Sequence, residues 1–169
     1  HDLDYVYREG LNQVEKGAEI LDVNVGVPGL NEEELMVEVI EGLQAVTDVP
    51  LQIDTTNIDA MESALRIYNG RPLINSVNGK KESMDSIFPL AKKYGAVVVA
   101  LTLDEDGIPS TANGRIAIAK RIVDTAEKYG IPKCDLIFDT LAMTISTGED
   151  NAKVAIDALD YIKNEMGIN

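Results

Sequence analysis

"VPLQIDTTN", residues 49–57, carries an apolar run straight into a carboxylate, two hydroxyls and an amide. An apolar stretch of this length, closed by polar turn residues, reads as a short buried strand that ends on Asp54. The same event recurs along the chain. "AEILDVNV" (18–25), "RPLINS" (71–76), "AVVVALTL" (96–103) and "CDLIFD" (134–139) read as four more strands. Their nearly continuous apolar character suits a parallel sheet covered on both faces.

Helical patterns separate these runs. In "NEEELMVEVIEGLQAV" (31–46), Leu35, Val39, Leu43 and Val46 recur at helical spacing behind Asn31, a candidate N-cap followed by acids. "NIDAMESALRIYNG" (57–70) stops on Asn-Gly, and "SMDSIFPLAKKYG" (83–95) and "GRIAIAKRIVDTAEKYG" (114–130) both stop on Lys-Tyr-Gly. "DNAKVAIDALDYIKNEMG" (150–167) closes the series, and residues 3–16 form a helix ahead of the first strand. The order is therefore one helix and then five βα units, with no linker or low-complexity tract between them. Two architectures fit: a five-stranded doubly wound sheet, or a partial TIM (β/α)8 barrel.

Polar residues at the strand ends favour the barrel. Asp22 and Asn24 end the first strand, Asp54 the second, Asn75 the third and Asp139 the fifth. The fourth carries Thr102 within it and Asp104 just beyond. A barrel points all strand C-termini at one mouth, whereas an open sheet spreads them along an edge. Each residue also has a plainer reading as a helix cap or turn residue, and "DEDG" (104–107) reads as a solvated turn. At Asp54 the following Thr-Thr-Asn already offers capping groups, so Asp54 need not cap. The chemistry on offer is narrow: a carboxylate accepts hydrogen bonds from an amino group and an adjacent ring N–H, and an amide both donates and accepts. These groups suit the edge of a planar heterocycle. No G-x-x-x-x-G-K-[ST] or post-strand G-x-G-x-x-G appears. "NVGVPG" (24–29) reads either as a loop over the mouth or as a simple βα turn.

The bulk properties narrow the function classes. The 169 residues include 29 acidic and 15 basic ones, a net charge of −14. Such a chain repels nucleic-acid backbones and anionic membranes. One cysteine excludes an internal disulfide, and Cys134 reads as a structural residue at a strand start. The one histidine is His1, which removes sites built on a fixed imidazole. No membrane-length apolar run or signal-peptide pattern is present, so a cytoplasmic protein is expected. The length fits one domain over residues 1–169.

Taken together, "GAEILDVNVGVPG", "LQIDTTN", "PLINSVNG" and "LIFDTLAMTISTG", in that order and spacing, resemble the pterin-binding domain of cobalamin-dependent methyltransferases. That family includes the folate domain of methionine synthase and the methyltetrahydrofolate:corrinoid/iron–sulfur protein methyltransferase. The resemblance implies a TIM barrel whose mouth holds the pterin of 5-methyltetrahydrofolate. The N5 methyl then passes to the cobalt of cobalamin on a corrinoid-binding partner protein or domain, a step of one-carbon metabolism and methionine biosynthesis. By the same resemblance Asp54, Asn75 and Asp139 bind the pterin, with Asn24 a looser match, and a homodimer is a further expectation. No catalytic residue is singled out and no protein-bound metal is required. A tertiary amine leaves poorly, so N5 must gain a proton or a strong hydrogen bond, and orientation of the ring does the rest.

Three departures qualify the match. Thr140 stands where the family usually has proline. The chain ends before a seventh strand that carries another pterin-contacting asparagine, and it begins after the strand that opens the barrel. The five strands are thus expected to be the second to sixth of eight, a segment of a larger enzyme with two open sheet edges. Two alternatives stand beside this one. A dihydropteroate synthase shares barrel and ligand class, but "DVNVGVPG" lacks its Gly-Gly-Glu-Ser type of loop. A non-catalytic flavodoxin-like module would need paired acids after its first strand and a lysine after its fifth, and neither is present.

Overall fold

A computed structural model describes residues 2–143 and 150–168. His1 and the end of the "LIFDTLAMTISTG" stretch, from residue 144 on, lie outside the described residues. The chain divides into two compact units, residues 1–75 with 94–96 and residues 76–93 with 97–169.

The first unit opens with α1 (Leu3–Glu15), capped by Asp2, whose carboxylate accepts the Tyr5 N–H at 3.0 Å. There follow β1 (Leu21–Val23), α2 (Glu32–Val46), β2 (Leu51–Asp54), α3 (Ile58–Ile67) and the start of β3 (Leu73–Asn78). The caps foreseen in the sequence form. Asn31 accepts from the Glu34 N–H, and three glutamates of the first turn sit at the positive end of the α2 dipole. Asn57 accepts from the N–H groups of Asp59 and Ala60 to start α3. The two leading helices approach closely: a Cβ on Gly42 of α2 would lie 2.2 Å from the Tyr7 ring of α1. Glycine is what that contact requires.

β1, β2 and β3 pair in parallel, with Leu21 beside Leu51, Ile53 beside Ile74, and Asp54 beside Asn75. Side chains alternate across a strand, so this register sorts them into two faces. Leu21, Val23, Leu51, Ile53 and Ile74 are buried, alongside Met36, Val39, Ile40 and Leu43 of α2. Asp22, Asn24, Gln52, Asp54 and Asn75 take the opposite face, exposed or half-buried.

The second unit holds α4 (Lys81–Tyr94, less its last residue), β4 (Val97–Leu101), α5 (Ala112–Lys128), β5 (Leu136–Asp139) and α6 (Asn151–Asn164). β4 and β5 are parallel, with Leu101 beside Asp139. Val98, Ala100, Leu136 and Phe138 face the core, while Val99, Ile137 and Asp139 are partly or fully exposed. Gly95 and Gly130 adopt φ of +67° and +75°, the left-handed stops that the two Lys-Tyr-Gly endings require.

The five strands of the described residues belong to one sheet of order β1-β2-β3-β4-β5, parallel in each pairing described above. That sequential order is the βα repeat of a barrel wall. The helices are slightly displaced from the sequence reading. α3 ends at Ile67 rather than at Asn-Gly, and α4 starts at Lys81 and carries Pro89 inside it. The expectation of strands covered on both faces is corrected for β1, β2, β4 and β5, where one face is buried and the other is open to a greater or lesser degree, while β3 buries both faces at its start, at Leu73 and Ile74. Apolar runs such as 97–101 hide this, because valine and leucine occupy half-open positions as well as core ones.

Candidate functional site

In the first unit the polar face of β1–β3 carries two neighbouring groups of hydrogen-bonded side chains. Asn24 Nδ2 donates to Asp54 Oδ2 at 3.0 Å, and Asn24 Oδ1 accepts the Gly26 N–H at 3.0 Å. The start of "NVGVPG" is therefore a turn closed by Asn24, which at the same time orients Asp54. Next to it, Asp22 Oδ1 accepts from Gln52 Nε2 and from Asn75 Nδ2, the latter at 3.4 Å. Parallel register puts Asp22 opposite Gln52 and Asp54 opposite Asn75, which brings five polar groups from three strands onto one surface.

The residues after Asp54 take over the helix-starting work. Thr55 is 6% exposed; its hydroxyl accepts the Asn57 N–H at 2.9 Å and donates to Glu32 of α2. With Asn57 capping α3, Asp54 is free of any capping duty, as its neighbours imply. Gln52 is the group that reading the strand ends overlooks. Its signal is the period of two: it lies two residues before Asp54, on the same face.

In the second unit Asp139 is exposed at the end of β5, and its Oδ1 accepts the N–H of Leu141 at 2.7 Å. The Asp139 carbonyl receives the Thr102 N–H at 3.2 Å and the Thr102 hydroxyl at 3.4 Å. Thr102 is wholly buried, so it fastens β4 to β5. Thr140, at the position where the resemblance leads one to expect proline, is buried and donates its hydroxyl to the Ala155 carbonyl of α6 at 3.0 Å. Arg115 of α5 is 1% exposed and donates to the carbonyls of Pro109, Thr140 and Leu141. Burial pushes its guanidinium down from the usual arginine range, yet arginine stays charged in proteins.

Other expectations are refined. "DEDG" is more than a solvated turn: Asp104 and Gly107 exchange backbone hydrogen bonds, and Asp104 pairs with Arg121. Cys134 is exposed in the 3-10 turn Lys133–Asp135 ahead of β5, so it is not a packed structural residue. Among the described residues, no group of three or more His, Cys, Asp or Glu side chains could hold a metal ion. No helix among them is long and apolar enough to cross a membrane. A cavity of about 390 Å³ lies along β1, lined by Leu3, Val6, Leu21, Val23 and Leu43 together with Asp22 and Asn24. It is mostly apolar and omits Asp54 and Asn75, so it does not match the polar set.

A family model described as "Pterin binding enzyme" matches residues 1–169. The methionine synthase of Mycobacterium leprae is 33% identical over 159 residues, 90% of this chain, and that of Mycobacterium tuberculosis is 31% identical over the same length. The chain spans 13% of the length of each. Among solved structures, dihydropteroate synthase from Xanthomonas albilineans in complex with 7,8-dihydropteroate is similar at a TM-score of 0.75 and 22% identity. That likeness covers 98% of this chain and 62% of the other. The 7,8-dihydropteroate synthase of Vibrio fischeri gives a TM-score of 0.72 at 18% identity, over 99% of this chain and 66% of the other. These structures bear on the fold: the five βα units correspond to part of a barrel.

Proposed function

We propose, from the premise that the chain belongs to the pterin binding enzyme family, that it holds the pterin of 5-methyltetrahydrofolate for transfer of the N5 methyl group to a corrinoid. The methyltransferase reading, over the synthase one, is supported by 31–33% identity to methionine synthases. The observation that carries the site is the face shared by Asp22, Asn24, Gln52, Asp54 and Asn75, with its two hydrogen-bonded groups. Its groups alternate acceptor and donor, as the amino, ring N–H and carbonyl edge of a pterin demands. Asp54, Asn75 and Asp139 are the proposed pterin ligands. Asn24 serves by turning the Asp54 carboxylate, and a ligand amino group meets that carboxylate already oriented.

The corrinoid, on another domain or protein, supplies a reduced cobalt as methyl acceptor when it is bound. What this chain's residues contribute is narrower. They fix the plane of the ring, and their hydrogen bonds stabilise N5 as it becomes a leaving amine. Because binding comes from side chains on strands, the ring is held on a rigid surface. One pterin-binding domain across residues 1–169, a cytoplasmic setting and a homodimer belong to the same proposal.

The test is a calorimetric titration of the folded chain with 5-methyltetrahydrofolate, in parallel with a 7,8-dihydropterin pyrophosphate and p-aminobenzoate. Saturable binding of the methylated folate, lost in Asp54→Ala, supports the methyltransferase reading. Turnover of the second pair to a dihydropteroate would replace it with the synthase reading.

A further inference from the structure

Arg115 is the one fully buried cation in the core of the described residues, and the hydrogen-bond partners described for it are carbonyls rather than carboxylates. Its α5 neighbours Ile116, Ile118, Ala119 and Ile122 are apolar and buried. A guanidinium in such a place needs its donors satisfied. It spends them on the backbone: Nε on Pro109 at 3.0 Å, and one terminal nitrogen on both Thr140 and Leu141, the latter at 3.0 Å. Thr140 and Leu141 are the two residues that follow Asp139.

Leu141 has φ of +59°, and among the described residues no other non-glycine residue has a positive φ. That conformation is costly for leucine and persists only where the surroundings impose it. The Leu141 N–H shares a peptide plane with the Thr140 carbonyl that Arg115 holds, and it is donated to Asp139 Oδ1 at 2.7 Å. The Thr140 hydroxyl bond to the Ala155 carbonyl anchors Thr140 as well.

We propose that Arg115 is a positioning residue for Asp139: by gripping the Thr140 and Leu141 carbonyls it fixes the 140–141 peptide plane and the left-handed residue after it, so that the Leu141 N–H orients the Asp139 carboxylate. The planar fork of arginine, with donors on two of its nitrogens, suits this grip. Lysine has a single nitrogen and cannot reproduce that geometry. The meaning for binding rests on the reading of Asp139 as a pterin ligand, but the grip itself is testable without any ligand.

The experiment follows amide hydrogen exchange at position 141 in the full chain, in Arg115→Lys, in Leu141→Gly and in the double variant. Arg115→Lys, if it melts cooperatively, is expected to expose the Leu141 N–H at least about tenfold faster, the weight of one hydrogen bond to a charged group. Adding Leu141→Gly should restore much of the protection, because glycine adopts positive φ without steric cost. A purely packing role for Arg115 would not be rescued by glycine at that position. Unchanged protection in a folded Arg115→Lys, or no rescue in the double variant, overturns the proposal. Should Arg115→Lys not fold, Leu141→Gly alone decides: with Arg115 in place, the backbone N–H at position 141 should stay protected in that variant, and its loss overturns the grip. Titration of the same variants with 5-methyltetrahydrofolate separates the two claims. Weakened binding in Arg115→Lys with recovery in the double variant supports both. An original chain that binds no folate removes the pterin reading, and the exchange data still decide the grip.

Discussion

The ends of β2 and β5 each finish on an aspartate, yet the two carboxylates are held in opposite ways. Asp54 is oriented from the side, by Asn24 just past the end of the neighbouring strand, while Thr55 and Asn57 after it build the helix start. Asp139 is oriented from ahead, by the amide of its own loop, and that loop is held by a buried arginine and a threonine. The first arrangement depends on strand register and the second on tertiary burial of a distant side chain. A strand-end acid is therefore not one kind of feature, even within one chain.

The contrast can be broken or sharpened at several points. The largest effect is expected from Asp54→Ala, which removes a charged acceptor from the proposed pterin site and should weaken 5-methyltetrahydrofolate binding about 10²-fold or more in calorimetry. Asn24→Ala leaves the carboxylate but not its orientation, so a smaller loss of roughly tenfold is expected. Equal losses in the two variants would mean that Asn24 contacts the ligand as directly as Asp54 does.

For the β5 side, Arg115→Met should destabilise the chain by roughly 3 kcal/mol, since it leaves three carbonyls without their donor. Denaturant unfolding measures this, and a change under about 1 kcal/mol would show that water replaces the guanidinium at little cost. For the β2 side, Asn57→Ala should cost about 1 kcal/mol through loss of the α3 cap. Its folate affinity should stay near that of the original chain, because the cap and the carboxylate are separate devices.

The smallest effect concerns an exposed pair outside both regions and serves as a control. The bond to Lys81 holds the Asp85 carboxyl below the usual carboxylate range, and the Asp85 partnership raises Lys81. A lowered acid contributes stability that is full above its unfolded value of about 4 and is lost as pH falls through the folded value. The raised lysine contributes stability that is full below about 10 and is lost as pH rises through its folded value. Melting temperatures of Asp85→Asn and the original chain should thus differ slightly at about pH 7 and converge near pH ~2. A gap that persists in acid would show that the pair's charge is not what Asp85 contributes.

Much of this was legible in the sequence because it is local. Apolar runs and helical periods marked the five strands and six α-helices of the described residues, and Asn31, Asn57 and the Lys-Tyr-Gly endings announced helix boundaries within a few residues. These are properties of nearest neighbours along the chain, governed by dihedral preference and orphan backbone groups. The strand-end aspartates and amides were legible for the same reason, as breaks in an apolar pattern. Gln52 was missed since a polar residue inside a strand breaks the pattern without ending it.

What the sequence by itself determined, then, was the order of βα units and the residues at their tips. Tertiary structure alone decided which tips bond to one another. The links Asn24–Asp54 and Asp22–Asn75 span 30 and 53 residues and exist only in the observed register, where a slip of one residue would send each side chain to the other face. Arg115 is the sharper case. Between Gly114 and Ile116 its sequence neighbourhood permits a solvated arginine on an amphipathic helix, and nothing local requires burial. Packing places it in the core beside the carbonyls of residues 140 and 141, where the cost of leaving a charge without partners compels the contacts it makes.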